Sequence, residues 1–259
     1  MVKVASKGKD FIKFLGTAGA RFVMIDQLRA SGGIWISYQG SNVLIDPGPG
    51  SIVRCAASRP RLNPANLNAI ILTHKHLDHA NDINVMIEGM TEGGFKRRGI
   101  VFCPGDCLSQ DSIILKYVRN FPEGIKILRP MGRHKVGGFS FQSSMLHLHT
   151  AETYGLKFRL NNISYAFLAD TRYFDKLEDF YKSDILTISV VFSDPRPGID
   201  HLCLADAEKI IKAIRPKRAI LTHFGVSMLK ANPNLLAKGL SRKTGIRVEA
   251  AYDGMVINV

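Results

Sequence analysis

The sequence predicts an α/β fold, on two observations. Short apolar strands alternate with helical patterns, and no linker or low-complexity tract divides the 259 residues, so the chain reads as one domain, 1–259. A strand-end pattern also occurs twice. One strand ends in Asp46 and a later Ala-Ile-Ile-Leu-Thr run ends in His74; then Tyr165 to Ala169 ends in Asp170 and a later Ala-Ile-Leu-Thr run ends in His223. Two similar αβ halves facing each other would bring all four strand ends to one cleft.

In chain order, Phe11 to Leu15 is a short strand-like run. Gly33 to Tyr38 and Asn42 to Asp46 read as two strands joined by a glycine-containing turn, stopped by the breaker Pro47-Gly48-Pro49-Gly50. A strand is expected at 69–73 and a helix at 80–89. A second helix is expected at 108–119, with Ile113, Ile114, Tyr117 and Val118 on one side. Strands resume at 139–147, 156–160 and 164–169. Helices then fit Leu177 to Tyr181 and Ala205 to Ile214, before a strand at 218–222.

The length allows a large core, and 46% hydrophobic with 22% charged residues is ordinary for a soluble globular enzyme. No window is apolar for long enough to span a membrane. Met1 to Lys9 is basic, but only Phe11 to Leu15 follows, too short for a signal-peptide core, so the expected compartment is the cytoplasm. The cysteines at 55, 103, 107 and 203 form no zinc pattern; Cys103-Pro-Gly-Asp-Cys107 has no second pair, and buried or turn-lining thiols are expected. A net charge of +13 fits a polyanionic substrate or partner, which is attracted before any specific contact forms. A basic surface serving solubility alone is the other reading.

Thr73-His74-Lys75-His76-Leu77-Asp78-His79 puts three imidazoles and a carboxylate within six positions, directly after an apolar strand. His74 and His76, two apart past a strand end, can converge on one ion, while Asp78 and His79 lie where a helix starts and can serve a second. Neutral imidazole and carboxylate suit zinc, manganese or iron. His149, Asp170 and His223 each follow an expected strand. Together they complete two sets: His74, His76 and His149 for one ion, Asp78, His79 and His223 for the other. Asp170 would bridge them, at the roughly 3.5–4 Å spacing of hydrolytic metal pairs.

These motifs, in this order, resemble the metallo-β-lactamase fold superfamily over nearly the whole chain, from Phe14-Leu15-Gly16-Thr17 to Thr222-His223-Phe224-Gly225. The resemblance implies a four-layer αββα sandwich, two mixed β-sheets face to face with helices outside and the metals at one edge. It also implies that Asp46 orients a ligand rather than binding metal. His149 is chosen over His147 because His149-Thr-Ala-Glu-Thr-Tyr-Gly155 matches the family's spacing, which leaves His147 in the strand. A histidine at 76 differs from the di-iron redox relatives, which place an acidic residue there. The best-known true β-lactamases carry a cysteine ligand and an export signal, and both are missing here. The remaining likeness is to the phosphodiesterase branch, which includes ribonuclease Z and the phosphoribosyl cyclic phosphate phosphodiesterase. Members share the Phe-Leu-Gly-Thr opening and a histidine between the bridging Asp and the last ligand, here His201. Ribonuclease Z projects a long arm onto transfer RNA, whereas this sequence has only the short basic loop Thr91 to Arg98.

The expected activity is hydrolysis of a phosphodiester, in a nucleic acid such as RNA or in a small cyclic or nucleotide ester, with a homodimer left open as the assembly. Two divalent ions, Zn2+ first with Mn2+ or Fe2+ as alternatives, would activate a bridging hydroxide. Asp78 and His201 are the candidate catalytic residues, His201 as the acid that protonates the leaving oxygen. Arg196, in a proline-stiffened loop, is either a phosphate contact or a plain surface residue. The rival expectations are a lactone or thioester hydrolase on the same metals, and a metal-binding protein without catalysis.

Overall fold

The computed structural model describes residues 10–259; the basic stretch Met1 to Lys9 lies outside it. One sheet is built from β1 (Phe11–Phe14), β2 (Ile34–Tyr38), β3 (Ser41–Ile45), β4 (Ala69–Ile71), β5 (Ile100–Cys103) and β6 (Gly124–Ile127). The other is built from β7 (Arg133–Val136), β8 (Phe139–Ser143), β9 (Leu156–Leu160), β10 (Ile163–Leu168), β11 (Ile185–Ser189), β12 (Arg218–Thr222) and β13 (Arg247–Ala250). The last strand, β14 (Val256–Asn258), returns to the first sheet and pairs with β1.

Sheet orders are β14-β1-β2-β3-β4-β5-β6 and β13-β12-β11-β10-β9-β8-β7. In the first, β14 to β3 are antiparallel neighbours and β3 to β6 are parallel. In the second, β7 to β10 are antiparallel and β10 to β13 parallel, the same plan. The expected duplication is therefore present in the topology, with β3 matching β10, and both of these strands lead into an aspartate. The histidine half of the repeat does not match. His74 follows β4, next to the Asp46 strand, whereas His223 follows β12, two strands from the Asp170 strand.

Strand alternation explains the layers. Ile34, Ile36 and Tyr38 face the second sheet and meet Phe139, Phe141, Phe158, Tyr165 and Phe167, while Trp35 faces outward. Both faces of the central strands are buried, which is why they read as apolar runs without clear period two. The helices are α1 (Ala20–Ile25), α2 (Ser51–Ala57), α3 (Leu77–Ala80), α4 (Ile83–Met90), α5 (Leu177–Tyr181), α6 (Leu204–Ile214), α7 (Val226–Lys230) and α8 (Pro233–Thr244). Cys55 of α2 and Ile83, Met86, Ile87 and Met90 of α4 cover the outer face of the first sheet. Residues of α5, α6 and α8, including Phe180, Ile210, Ile211 and Leu240, cover the second. This is the αββα sandwich. Among the described residues no helix is long and apolar enough to cross a membrane.

Two expected elements change. Positions 108–119 hold no α-helix, only 3-10 turns at Gly105–Leu108 and Lys116–Val118. Side chains take the backbone groups that a helix would pair: Ser112 Oγ donates to the carbonyls of Cys107 and Ile114, and the Asn84 amide bonds the Ile113 carbonyl and the Leu115 N–H. Ile114 and Val118 are still buried, so the four-residue spacing reflected packing and not helix. The strand expected at 139–147 ends at Ser143, and His147 lies beyond it, in the loop that carries His149. All four cysteines are free and buried, as expected.

Candidate metal centre

The ends of β3, β4, β10 and β12 open on one cleft between the sheets. Asp46 and His223 both take left-handed backbone there, with φ of 51° and 61°, and so does Ala20 at 60°. Such conformations are uncommon for residues other than glycine and persist where surrounding contacts fix them. Those contacts are visible. Ala18 bridges Phe224, and Gly19 N–H donates to the Phe224 carbonyl, so the opening Phe14-Leu15-Gly16-Thr17 segment clasps the His223 turn. A Cβ on Gly19 would collide with the His223 carbonyl, and one on Gly48 with the carbonyls of Ser31 and Asp78. Both positions need glycine because backbone passes against backbone.

The fold brings all seven expected ligands together. His74, His76 and His149 form one set, and Asp78, His79 and His223 another, with the ligating atoms of each within 4.8 Å of one another. Asp170 lies between them. Its Oδ2 is 3.2 Å from His223 Nε2, 3.5 Å from His79 Nε2 and 4.0 Å from His74 Nε2. His201 is the eighth member, its Nδ1 3.4 Å from the same oxygen, and with His149 and Asp170 it forms a further set of ligand geometry.

Hydrogen bonds fix the tautomers. Asp46 Oδ1 accepts from Thr73 N–H at 2.7 Å and Oδ2 from the Thr73 hydroxyl at 2.7 Å. Oδ2 also takes His79 Nδ1–H at 3.0 Å, leaving a lone pair on His79 Nε2. The Thr73 hydroxyl, spent as a donor on Asp46, accepts from His74 Nδ1–H at 3.1 Å, so His74 Nε2 also carries a lone pair. His149 Nδ1–H goes to the Asp200 carbonyl at 2.9 Å, and its Nε2 faces His76 Nδ1 at 3.1 Å. His79 Nε2 likewise faces His223 Nε2 at 3.2 Å.

This donor set fits divalent cations. His74 Nε2, Asp170 Oδ1 and His201 Nδ1 are buried and have no hydrogen-bond partner, a costly arrangement unless a cation sits among them. Asp46, Asp78 and Asp170 are largely buried, and among the described residues none pairs with a lysine or arginine. The electrostatics agree. Burial and the neighbouring His79 hold the His74 pKa well below its ordinary value, and burial with His149 brings His76 down to about 4, so both stay neutral donors. Burial opposes charge on Asp170, but His223, His79 and His201 outweigh it and keep the carboxylate ionised. Burial also opposes charge on His79, yet Asp78, Asp170 and Asp46 overcome it, marking this as a seat for positive charge. Burial lowers the His201 pKa, with Asp170 working against it.

His147 is not in the cluster. It is buried, its Nδ1–H donating to the Asp170 carbonyl at 2.9 Å and its Nε2 accepting from the Tyr181 hydroxyl at 2.5 Å. The basic loop 91–98 is also elsewhere. It leads into Ile100, which pairs with Ala69 at the start of β4, the sheet edge opposite the cluster, and Arg98 is tied to the carbonyls of Ala65 and Leu67. Arg196 does border the cleft, beside Arg21 and Lys230, neither of which stands out in the sequence. Only their place in the fold marks them.

Because Asp46 holds both Thr73 and the His79 tautomer, Asp46→Ala is expected to weaken metal binding about 10–100-fold without removing a ligand. Competition against a chelating dye measures this; an affinity equal to that of the unmodified protein would contradict it.

Comparison with known proteins places these features in a family. The beta-lactamase superfamily domain model matches residues 41–224. A protein of Methanocaldococcus jannaschii, MJ1374, is 30% identical over 257 residues, covering 96% of this chain and 94% of its own. Among solved structures, the metallo-beta-lactamase fold protein YhfI of Bacillus subtilis superposes with a TM-score of 0.79 at 20% identity, over 97% of this chain and 100% of its own. A diphosphatase from the PhnP family gives 0.71 at 18% identity, over 97% and 98%. The chain belongs to the beta-lactamase superfamily, with its metallo-β-lactamase αββα fold.

Proposed function

We propose that this protein is a dinuclear-metal hydrolase of phosphodiesters. His74, His76 and His149 would hold one divalent ion, Asp78, His79 and His223 the other, and Asp170 would stand between them. The convergence of the unpartnered His74 Nε2 and His201 Nδ1 on Asp170 supports the metal assignment. Zinc suits the imidazole-rich set best, with manganese and iron as the alternatives. When bound, such a pair supplies acidified water and charge neutralisation for a phosphate oxygen.

The chain's own side chains supply the rest. Asp46 fixes the His79 ring and, through Thr73, the His74 ring. Asp78 accepts the Ala20 N–H at 3.1 Å, which ties the cluster to the α1 wall of the cleft. His201 stands between the cluster and the open cleft, placed to give a proton to a departing oxygen.

The observation that carries the phosphodiester reading is the charge of the cleft on the outer side of His201. Among the described residues, Arg21, Arg196 and Lys230 border it and no carboxylate does. The chain's +13 charge and the diphosphatase among its structural neighbours point the same way. A lactone or thioester substrate has one observation in its favour, the exposed apolar residues Ile25, Leu77 and Ile199 around the metal-side mouth. The three cations favour an anionic substrate, which a phosphodiester always is and a lactone or thioester is only when it carries a separate acidic group.

The test is hydrolysis of bis-p-nitrophenyl phosphate and of RNA by metal-loaded protein, with lactones and thioesters as the alternative panel. Raising salt from about 50 to 200 mM should raise KM for RNA about tenfold or more, because several phosphate contacts are screened together. The small diester should change far less. Equal salt sensitivity, or no cleavage of RNA, assigns the charge to another purpose. Lactone cleavage without diester cleavage overturns the substrate class.

A further inference from the structure

Two cavities meet at His201, with Ala20, Arg21 and Ile199 also lining both. One, of about 570 Å³, holds His76, Asp78, His149 and Asp170 and is the metal side. The other, of about 800 Å³, lies beyond His201 and has no metal-site residue except His201 itself. Its walls come from three segments: Gly19 to Val23 at the start of α1, the 191–201 loop, and Gly225 to Lys230 around α7. Ser193 N–H donates to Ser227 Oγ at 3.1 Å, joining two of these walls.

The chemistry of the second cavity is two-sided. Phe22, Val191, Phe192, Ile199 and Val226 make an apolar surface, and Arg21, Arg196 and Lys230 supply three positive charges. The Arg196 guanidinium lies 6.0 Å above the Phe192 ring, and Phe192 meets His201 edge-on at 6.1 Å. Phe192 and the planar Arg196 guanidinium together offer a stacking surface to a flat ring, and Arg21 and Lys230 offer charge to an anionic group on the same molecule. Volumes of this size suit a molecule such as a nucleotide.

Its place fixes its role. Hydrolysis forms a bond from water oxygen to phosphorus and breaks the bond from phosphorus to the leaving oxygen, which keeps the electron pair and takes a proton from His201. The cavity shares Ala20, Arg21, Ile199 and His201 with the metal side, so the part of a substrate that extends outward from a phosphorus at the metals enters it. We infer that the cavity bounded by Arg21, Phe192, Arg196 and Lys230 seats the leaving group, and that this group is a nucleoside phosphate. The inference rests on the phosphodiester reading of the metal centre and narrows it to substrates whose departing half carries both a base and a further phosphate.

The test uses adenosine 5′-monophosphate as the probe, with ribose 5-phosphate and inorganic phosphate beside it, all by calorimetry on metal-loaded protein. The nucleotide should bind about tenfold or more tightly than ribose 5-phosphate, since a base stacked on an aromatic ring contributes at this level. Arg196→Ala with Lys230→Ala should weaken the nucleotide about tenfold or more and inorganic phosphate, which the metals alone can hold, by much less. Phe192→Ala should reduce the nucleotide toward ribose 5-phosphate. These residues are at the surface or on a loop, and circular dichroism checks that each variant is folded. Equal binding of nucleotide and ribose 5-phosphate, or unchanged nucleotide binding in the double variant, overturns the inference. Cleavage of bis-p-nitrophenyl phosphate by the same preparation separates the two failures: cleavage with an indifferent nucleotide response removes the leaving-group seat alone, and no cleavage removes the phosphodiester reading beneath it.

Discussion

Replacing Asp170 with alanine is expected to strip at least one metal ion and to lower phosphodiester hydrolysis about 10³-fold or more, since loss of a single preorganised charge-stabilising donor already costs 10²–10³. One carboxylate oxygen of Asp170 lies within 4.0 Å of His74, His79, His201 and His223, and the other is buried without a partner. Two like charges held a few ångströms apart need an anion between them, and Asp170 is the carboxylate that reaches histidines of both sets. The imidazoles would remain, so residual binding of one ion is consistent with the reading. A folded Asp170→Ala protein that keeps two ions and its rate would not be.

His201→Ala should behave in the opposite way. It should keep both ions and lower kcat by about 10²–10⁴-fold for esters with poor leaving groups, the usual contribution of a positioned acid. p-Nitrophenolate leaves without help, so bis-p-nitrophenyl phosphate should be slowed much less. The geometry makes the experiment informative, because His201 Nδ1 is 3.4 Å from Asp170 Oδ2 and also has ligand geometry with His149. Loss of a metal ion would make His201 a ligand. Equal slowing of both ester types would make it a phosphate-positioning residue.

Most of the candidate cluster could be read from the sequence because its ligands follow strands. The His74 to His79 stretch, Asp170 and His223 stand just past β4, β10 and β12, strands of parallel pairs that end at the same edge, while His149 comes from the loop after β8. Choosing His149 over His147 needed the family's spacing. Their burial alone would mislead, since His147 is the more buried of the two and makes its bonds to Asp170 main chain and Tyr181. The 108–119 segment went astray because Ser112 and Asn84 satisfy its backbone through side chains, which periodicity does not register. Helix α8 carries its signals at its ends and not in apolar periodicity: Asn232 caps it, Pro233 opens it and Gly245 closes it in left-handed backbone. The basic cavity was not readable, because Arg21, Arg196 and Lys230 come from three distant segments and look like any other surface cations until the chain is folded.

The central claim is that His74, His76, Asp78, His79, His149, Asp170 and His223 hold two metal ions at once. Its most direct measurement is elemental analysis of protein reloaded with a small excess of Zn2+ and freed of unbound metal by gel filtration. The expected result is two equivalents per chain, falling to one or fewer in Asp170→Ala. One equivalent or none in the unmodified protein would contradict the dinuclear site.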